Sequence, residues 1–402
     1  MNNLLNNEKM LEKKREYTSS ILTEDDRLSE VNKTEVMQFV NNKSLIKSIN
    51  TQLAAINQEI YNHDIIDRLD LLLNSIRICA CHHFKGSRTY AFGSRITGLA
   101  NKHSDVDLYI EIANSFCGEL SNDPYAQNDL IRYVEKLFRS QKYEYSQIRS
   151  ITTARVPIIK FFHVPTGFYC DLSFRSGLSI YNTRLVKLYL SLDERVYWVV
   201  CAVVKCWALD NYIKEQCMFN SYALAWLVLF YLMAIKVVPP LLLLREHADH
   251  SNSFRSDVIF IEGWNCTFCT VEKAKQIWRV PAISRWNLLF GFLKFYSDSN
   301  KLNRIVLCPV IGTSILKDNM YKVPMMNPDI LGFDPQNNGL PIDWCIKLKN
   351  SFRVEGLALQ DPLDLLNNLT KRTKPDKLQI FSYSCNLSLE VMKNKRRKLN
   401  AI

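Results

Sequence analysis

Three aspartates and a glycine-serine pair carry the chemistry this sequence can do. The stretch Phe92-Gly93-Ser94-Arg95-Ile96-Thr97-Gly98 is followed by a loop and then by Ser104-Asp105-Val106-Asp107-Leu108. Asp105 and Asp107 stand two residues apart. Strand side chains alternate, so both carboxylates project from one face while Val106 and Leu108 anchor the other. Two acids side by side repel unless a cation sits between them, which points to a hard, oxygen-seeking ion such as Mg²⁺ or Mn²⁺. The competing reading is an exposed strand face with two solvated acids. Gly93 follows the short apolar run Tyr90 to Phe92. It lets the backbone turn sharply into a helix whose free N–H groups, with the Ser94 hydroxyl, face an anion.

Asp171 completes the set if the strands pair suitably. Pro157 to Val164 is a β-branched and aromatic run, and Pro165-Thr166-Gly167 supplies a turn. Phe168, Cys170, Leu172 and Phe174 then alternate with Tyr169, Asp171 and Ser173. The pattern predicts a β-hairpin with Asp171 on its outward face. Paired beside the Asp105/Asp107 strand, it brings three carboxylates together, enough for two metal ions about 3.5–4 Å apart.

Helices must hold this sheet. Ile46, Ile49, Leu53, Ile56, Ile60, Ile65, Leu69, Leu72 and Ile76 recur at spacings near three and four, which predicts amphipathic helices over 46–82 leading into a sheet-bearing segment over 83–178. From about residue 180 the helical pattern returns in Leu185 to Leu192, Val196 to Asn211, Tyr222 to Ile235 and Trp286 to Tyr296. Residues 1–45 are polar and rich in Asn, Lys and Glu, which reads as a disordered or weakly helical tail. Residues 381–402 read as a basic C-terminal tail containing Lys393, Lys395, Arg396, Arg397 and Lys398. That cluster could be a nuclear address, an RNA-contacting segment or simply a solvated end. At 402 residues the chain exceeds the roughly 250–300 that one core serves, so two lobes with a cleft between them are expected.

Composition narrows the partners. A net charge of +11 favours a polyanion such as nucleic acid, although dispersed lysines give the same sum. The polar start, MNNLLNNEKMLEKK, lacks the apolar core of a secretory signal. The twelve cysteines are therefore read as reduced thiols in the cytosol, with the nucleus open through the basic tail. Cys79, Cys81, His82 and His83, and separately Cys266 and Cys269, lack the paired spacing of a zinc site, so buried or incidental thiols are favoured. The longest apolar run, Tyr222 to Ile235, has 14 residues where a bilayer span needs about 20. It reads as a buried core helix, and no membrane partner is expected.

The Gly-Ser, Gly, Asp-Val-Asp and distant Asp pattern resembles the DNA polymerase β-like nucleotidyltransferase superfamily. Within it the chain looks like the terminal uridylyltransferases and related template-independent poly(A) polymerases. The likeness runs from about residue 46 to 375 and includes Leu288-Leu289-Phe290-Gly291-Phe292-Leu293-Lys294-Phe295-Tyr296, similar to the helical poly(A)-polymerase-associated region. It implies an α+β, bilobed fold: a mixed-sheet nucleotidyltransferase catalytic lobe plus a helical poly(A)-polymerase-associated lobe over 179–380. It implies transfer of a nucleotide to an RNA 3′ end without a template, from UTP, with ATP as the alternative and with two Mg²⁺ or Mn²⁺ ions held by Asp105, Asp107 and Asp171. An inactive RNA-binding protein that kept the fold is the alternative of another class. Protein partners are not indicated.

The resemblance also assigns a nucleotide pocket. Phe92, Gly93 and Ser94 form its phosphate turn, Asn182 and Thr183 lie near the ribose, Lys205 on the triphosphate, Ser221 on a phosphate and Tyr222 under the base. Lys205 interrupts an apolar helix, where an ammonium needs an anion or a route to solvent. Leu359 to Asn368 looks like the base-recognition loop, with Asp361 and Asp364 as its acids. The chain departs from the pattern at three points. Leu209 stands where relatives commonly have a second triphosphate lysine, Ser176 where they often have Asn, and Asn367 where many uridylate-preferring relatives have His. A lost charged contact is worth roughly 1.5–3 kcal/mol.

Overall fold

The computed structural model describes residues 50–51, 53–58, 62–112, 115–120, 123–154, 156–248, 258–320 and 344–399, so the expected N-terminal tail lies outside the described residues. Helix α1 (His63–His83) starts at Asn62, whose side chain accepts from the Asp64 N–H. There follow β1 (Arg88–Phe92), the one-turn helix α2 (Ser94–Thr97), β2 (Val106–Glu111), α3 (Pro124–Ser140), β3 (Tyr145–Ile151), β4 (Ile158–His163) and β5 (Phe168–Ser173). The five strands form one sheet in the order β1-β2-β5-β4-β3. Only β2 and β5 run parallel; the other neighbours are antiparallel, so the sheet is mixed as expected. The β4–β5 hairpin closes at Gly167, which adopts a positive φ of 69° and donates its N–H to the His163 carbonyl.

Alternation along these strands makes two unlike faces. Val106, Leu108, Ile110, Ile159, Phe161 and Leu172 are buried against Leu72 and Ile76 of α1 and Ile131, Val134 and Phe138 of α3. Asp107 and Asp171 lie half-buried on the opposite face.

The second lobe has its own core. Helix α4 (Leu178–Leu192) leads into α5 (Glu194–Cys201), which continues through a π-helical turn, Ala202–Trp207, to Ala208–Asp210. Helix α6 (Ser221–Ala234) is the apolar run; every residue from Ala223 to Met233 is buried, as expected of a helix hydrophobic all round. Helix α7 (Arg285–Phe295) packs against it. Among the described residues no helix is long and apolar enough to cross a membrane. Leu53 and Ile56 belong to this core although they precede the catalytic lobe, and the Trp198 indole donates to Asn50 while the Tyr197 hydroxyl donates to Asn57. The helical lobe is thus built from both flanks of the sheet.

Two features differ from the expectation. Three short strands, β6 (Ile305–Cys308), β7 (Thr313–Leu316) and β8 (Ala358–Leu359), form a second sheet in the order β8-β6-β7 inside the helical lobe. Residues 381–399 are not a tail but the larger part of helix α8 (Pro375–Leu399). Its Leu378, Phe381, Cys385 and Leu389 recur at three- and four-residue spacing and are buried, a narrow stripe that the polar composition around it hides. The side chains of Lys395 to Lys398 lie outside the described residues.

The α6–α7 contact leaves no room for another carbon. A Cβ on Gly291 would overlap the phenol oxygen of Tyr231, whose ring lies edge-on to Phe292. Gly291→Ala is expected to lower stability by about 1–3 kcal/mol through overpacking, read as an earlier urea midpoint at unchanged m-value.

Candidate functional site

The backbone decides where the acids go. In the parallel β2–β5 pair Asp107 stands level with Asp171, and in the antiparallel β1–β2 pair Asp107 faces Phe92. Asp105 lies one residue ahead of β2. Lys160 of β4 faces Asp171 across the next pair, and its Nζ donates to both carboxylate oxygens at 2.7 and 2.6 Å while lying 4.0 Å from Asp105. Burial, then Asp171, then Asp105 push the Asp107 carboxyl up to about 7, and burial with Asp171 also raises Asp105.

As they stand, no three His, Cys, Asp or Glu side chains among the described residues are placed to hold one ion in common. The donor set nonetheless fits a hard divalent cation. It consists of carboxylate oxygens, it already binds an ammonium, and burial with its neighbours' charge raises the pKa of its most enclosed member, Asp107. Lys160 is 41% exposed and can swing to solvent as an ion enters. Asp105, Asp107 and Asp171 are the residues that would hold it.

Gly93 makes the approach to Asp107 possible. It has φ 75°, and a Cβ there would overlap the Asp107 carboxylate. Its N–H donates to the Thr183 hydroxyl at 2.9 Å, and that hydroxyl donates in turn to the Ser179 carbonyl at 2.8 Å. Thr183, assigned to the ribose by resemblance, therefore ties the glycine turn to α4. Ser94 opens α2, and the guanidinium of Arg95 sits 4.6 Å from the Phe168 ring centroid while bonding the Ser104 carbonyl.

The other residues that the resemblance assigns to the pocket lie on the helical side. Asn182 keeps its Oδ1 buried and without a hydrogen-bond partner, an acceptor suited to a ribose hydroxyl. Lys205 lies in the π-helical turn, where burial and Lys214 hold its ammonium down to about 8. Ser221 accepts from Lys214. The half-buried Tyr222 stands in the field of both Asp361 and Asp364. Strand β8 positions the loop that carries these acids, since the Gln360 N–H donates to the Leu307 carbonyl and the Leu369 N–H to the Leu359 carbonyl. Asp361 is buried; it accepts from the N–H groups of Leu363 and Asp364 at 3.0 and 3.1 Å and from the Asn367 amide at 3.3 Å. Burial and Asp364 push its carboxyl up to about 7. Asp361 thus shapes the loop and orients the Asn367 amide.

Three side chains that the sequence reading did not single out stand beside these residues in the folded chain: Lys160, Lys214 and Glu262. Lys160 has a sequence signal, a lone cation on the same outward face as Asp171. Glu262 has none, being 87 residues from its partner. It sits at φ 53° in the turn between Phe260–Ile261 and Trp264–Asn265, and its N–H donates to the Cys117 carbonyl. Arg175, just past β5, grips it with Nε and Nη2 at 2.8 and 2.7 Å, and the Ser176 hydroxyl donates to it at 2.7 Å. Ser176, assigned by resemblance as a nucleotide contact, is turned toward this clasp. Cys266 and Cys269 are buried core thiols, and burial pushes Cys266 up to about 12.

Gly93 yields its side-chain space to Asp107 on a mixed sheet that sets Asp107 level with Asp171. Residues 45–191 match the family model for the poly(A) RNA polymerase, mitochondrial-like, central palm domain, and the relatives that the chain is similar to include terminal uridylyltransferases and poly(A) polymerases. Human terminal uridylyltransferase 7 is 29% identical over 225 residues, which are 54% of this chain and 14% of that protein. The chain therefore spans a minor part of that relative's length. Among solved structures, mtPAP in complex with UTP superposes with a TM-score of 0.67 at 20% identity, covering 87% of this chain and 70% of that one. The Cid1 poly(U) polymerase, as a histidine-to-asparagine mutant bound to MgATP, gives 0.62 at 21% identity over 86% and 94%. At these identities the structural likeness carries the fold.

The carboxylate cluster and the clasp each generate an expectation. The acid form of Asp107 is favoured by the fold, so its charge destabilises the native state above about pH 7, and that penalty fades as pH falls toward the ordinary value of 3.8. In metal-free buffer Asp107→Asn should raise stability at pH 8 by about 4 kcal/mol, read as a higher melting temperature, with the gain vanishing near pH 4. Glu262→Ala leaves the partly buried Arg175 without its carboxylate partner and should cost about 3 kcal/mol in urea unfolding. Ser176→Ala, which removes one neutral donor, should cost about 1 kcal/mol.

Proposed function

We propose that this chain is a template-independent RNA 3′-terminal nucleotidyltransferase that adds uridylate from UTP. The observation that carries the reading is the register of Asp107 with Asp171 beside the Gly93 turn, which gathers carboxylates against a phosphate-binding element. Two divalent ions held by Asp105, Asp107 and Asp171, when bound, would lower the pKa of the RNA 3′ hydroxyl and stabilise charge on the leaving pyrophosphate. The protein's own part is positioning. Ser94 at the start of α2 presents its N–H and hydroxyl, Lys205 and Ser221 take the phosphates, Asn182 accepts from the ribose, and Tyr222 with the Asp361 loop receives the base. Burial of Asp107 and Asn182 makes each contact stronger than in water. The net charge of +11 suits an RNA acceptor. Reduced thiols suit the cytosol, and the basic C-terminal cluster leaves nuclear residence open.

A second reading, adenylyl transfer from ATP, is favoured by Asn367. Its carbonyl oxygen can accept from N3–H of uracil or from the amino group of adenine, and it lacks the bulk of a histidine. A poly(U) polymerase whose histidine was changed to asparagine has been solved with MgATP bound.

The test is extension of a labelled single-stranded RNA with Mg²⁺ or Mn²⁺ and each nucleoside triphosphate separately, beside an Asp105→Ala/Asp107→Ala control. Extension favouring UTP and absent from the control supports the proposal. Preference for ATP transfers it to the adenylyl reading, and no extension with any nucleotide favours an RNA-binding protein. Asn367→His should raise the UTP-to-ATP ratio of kcat/KM about tenfold, the worth of roughly 1.4 kcal/mol.

A further inference from the structure

Lys205 and Lys214 pose a problem of charge. Both are half-buried, and among the described ion pairs neither meets a carboxylate. They nevertheless stand near enough for Lys214 to depress the Lys205 ammonium. Two cations that are losing water and repelling each other destabilise a fold unless an anion joins them.

Lys214 is held in place firmly. It belongs to the short helix Ile213–Cys217, whose end residues Ile213 and Cys217 are wholly buried. The Cys217 carbonyl accepts from the Thr373 hydroxyl at 2.9 Å. From there the Lys214 Nζ donates to the Ser221 Oγ at 2.9 Å. A lysine that donates to a serine oxygen leaves the serine proton free to point elsewhere. Ser221 is the first residue of α6, so the positive end of a 14-residue helix adds to the same spot. Lys205 cannot find a partner cation on its own helix: one turn further on stands Leu209, exposed and apolar.

We propose that Lys214 is a second triphosphate-binding lysine, which with Lys205, Ser221 and the start of α6 forms a site for the terminal phosphates of the incoming nucleotide. An anion of several charges fits better than a single carboxylate, because Lys214 sits on Ser221 at the start of α6 while Lys205 is close enough to feel its charge. The inference rests on the nucleotidyltransferase reading for its ligand, but its chemistry is that of any linear polyphosphate.

The test uses the full-length chain and sodium tripolyphosphate, which needs no RNA and no turnover. Lys214→Met should leave the melting temperature without ligand equal or higher, because repulsion is removed. Its affinity for tripolyphosphate, read from the ligand-induced rise in melting temperature, should fall roughly tenfold to hundredfold, the range of one charge-assisted contact. In RNA extension the nucleoside triphosphate KM should rise by a similar factor with a smaller change in kcat. Leu209→Lys in the Lys214→Met background should restore part of the tripolyphosphate affinity by supplying the missing charge one turn from Lys205. Tripolyphosphate that protects Lys214→Met as strongly as the unaltered protein would overturn the proposal, and so would Lys214→Met melting several degrees lower without ligand. If tripolyphosphate binding depends on Lys214 while no RNA is extended, the phosphate site stands and the transferase reading fails.

Discussion

Asp107 and Asp171 are level with each other on adjacent parallel strands, and backbone hydrogen bonding on both sides keeps either from moving away. Their repulsion is a standing cost of the fold, and much of the palm is arranged around it. Gly93 withholds a side chain so that one carboxylate has room, Thr183 keeps the glycine turn in place, and Lys160 supplies the counter-charge. A sheet that gathers like charges at this density gains from it only when a cation of higher charge replaces the ammonium. That condition joins the architecture to the chemistry.

The same logic of compensated charge recurs where the lobes meet. The aromatic series Tyr90, Tyr109, Phe116 and Tyr181 runs from the sheet into α4 with neighbouring ring centroids 6.1 to 6.3 Å apart. Phe116 lies under Gly177, where any side chain would displace it. Beside this packing the Arg175–Glu262 clasp spans the exit of β5 and the helical lobe with paired, charge-assisted bonds. Arg175 also lies in the field of Asp364, so the segment leaving β5 is electrically coupled to the loop that carries Asp361 and Asp364. Lys205 and Lys214 are the uncompensated counterpart: positive charge gathered with no described ion pair to an acid, awaiting a ligand.

Much of the site is legible in the residue pattern alone. Alternation along 105–112 and 168–174 and the turn at 165–167 are enough to predict strands, a hairpin and a shared acidic face, because a period of two is a local property of the chain. The spacing near three and four likewise exposes α1, and the unbroken apolar run from Tyr222 to Ile235 exposes α6. The apolar stripe of α8 does not show, because its buried Leu378, Phe381, Cys385 and Leu389 are diluted by a polar, basic surround. The small sheet β6–β8 does not show either, because strands of two to four residues carry too little pattern to read.

The sequence by itself determined which residues could do chemistry and on which face of their own element they lie, since rotamer direction and periodicity depend on neighbours a few positions away. It did not determine their partners. That Lys160 meets Asp171 follows from strand order; that Glu262 receives Arg175 and Ser176 follows from a contact across 87 and 86 residues. Lys214 beside Ser221 depends on how a short helix folds back between α5 and α6. These pairings are set by how the elements pack, and only the tertiary structure brings such distant charges within a few ångströms, where their interaction outweighs solvation.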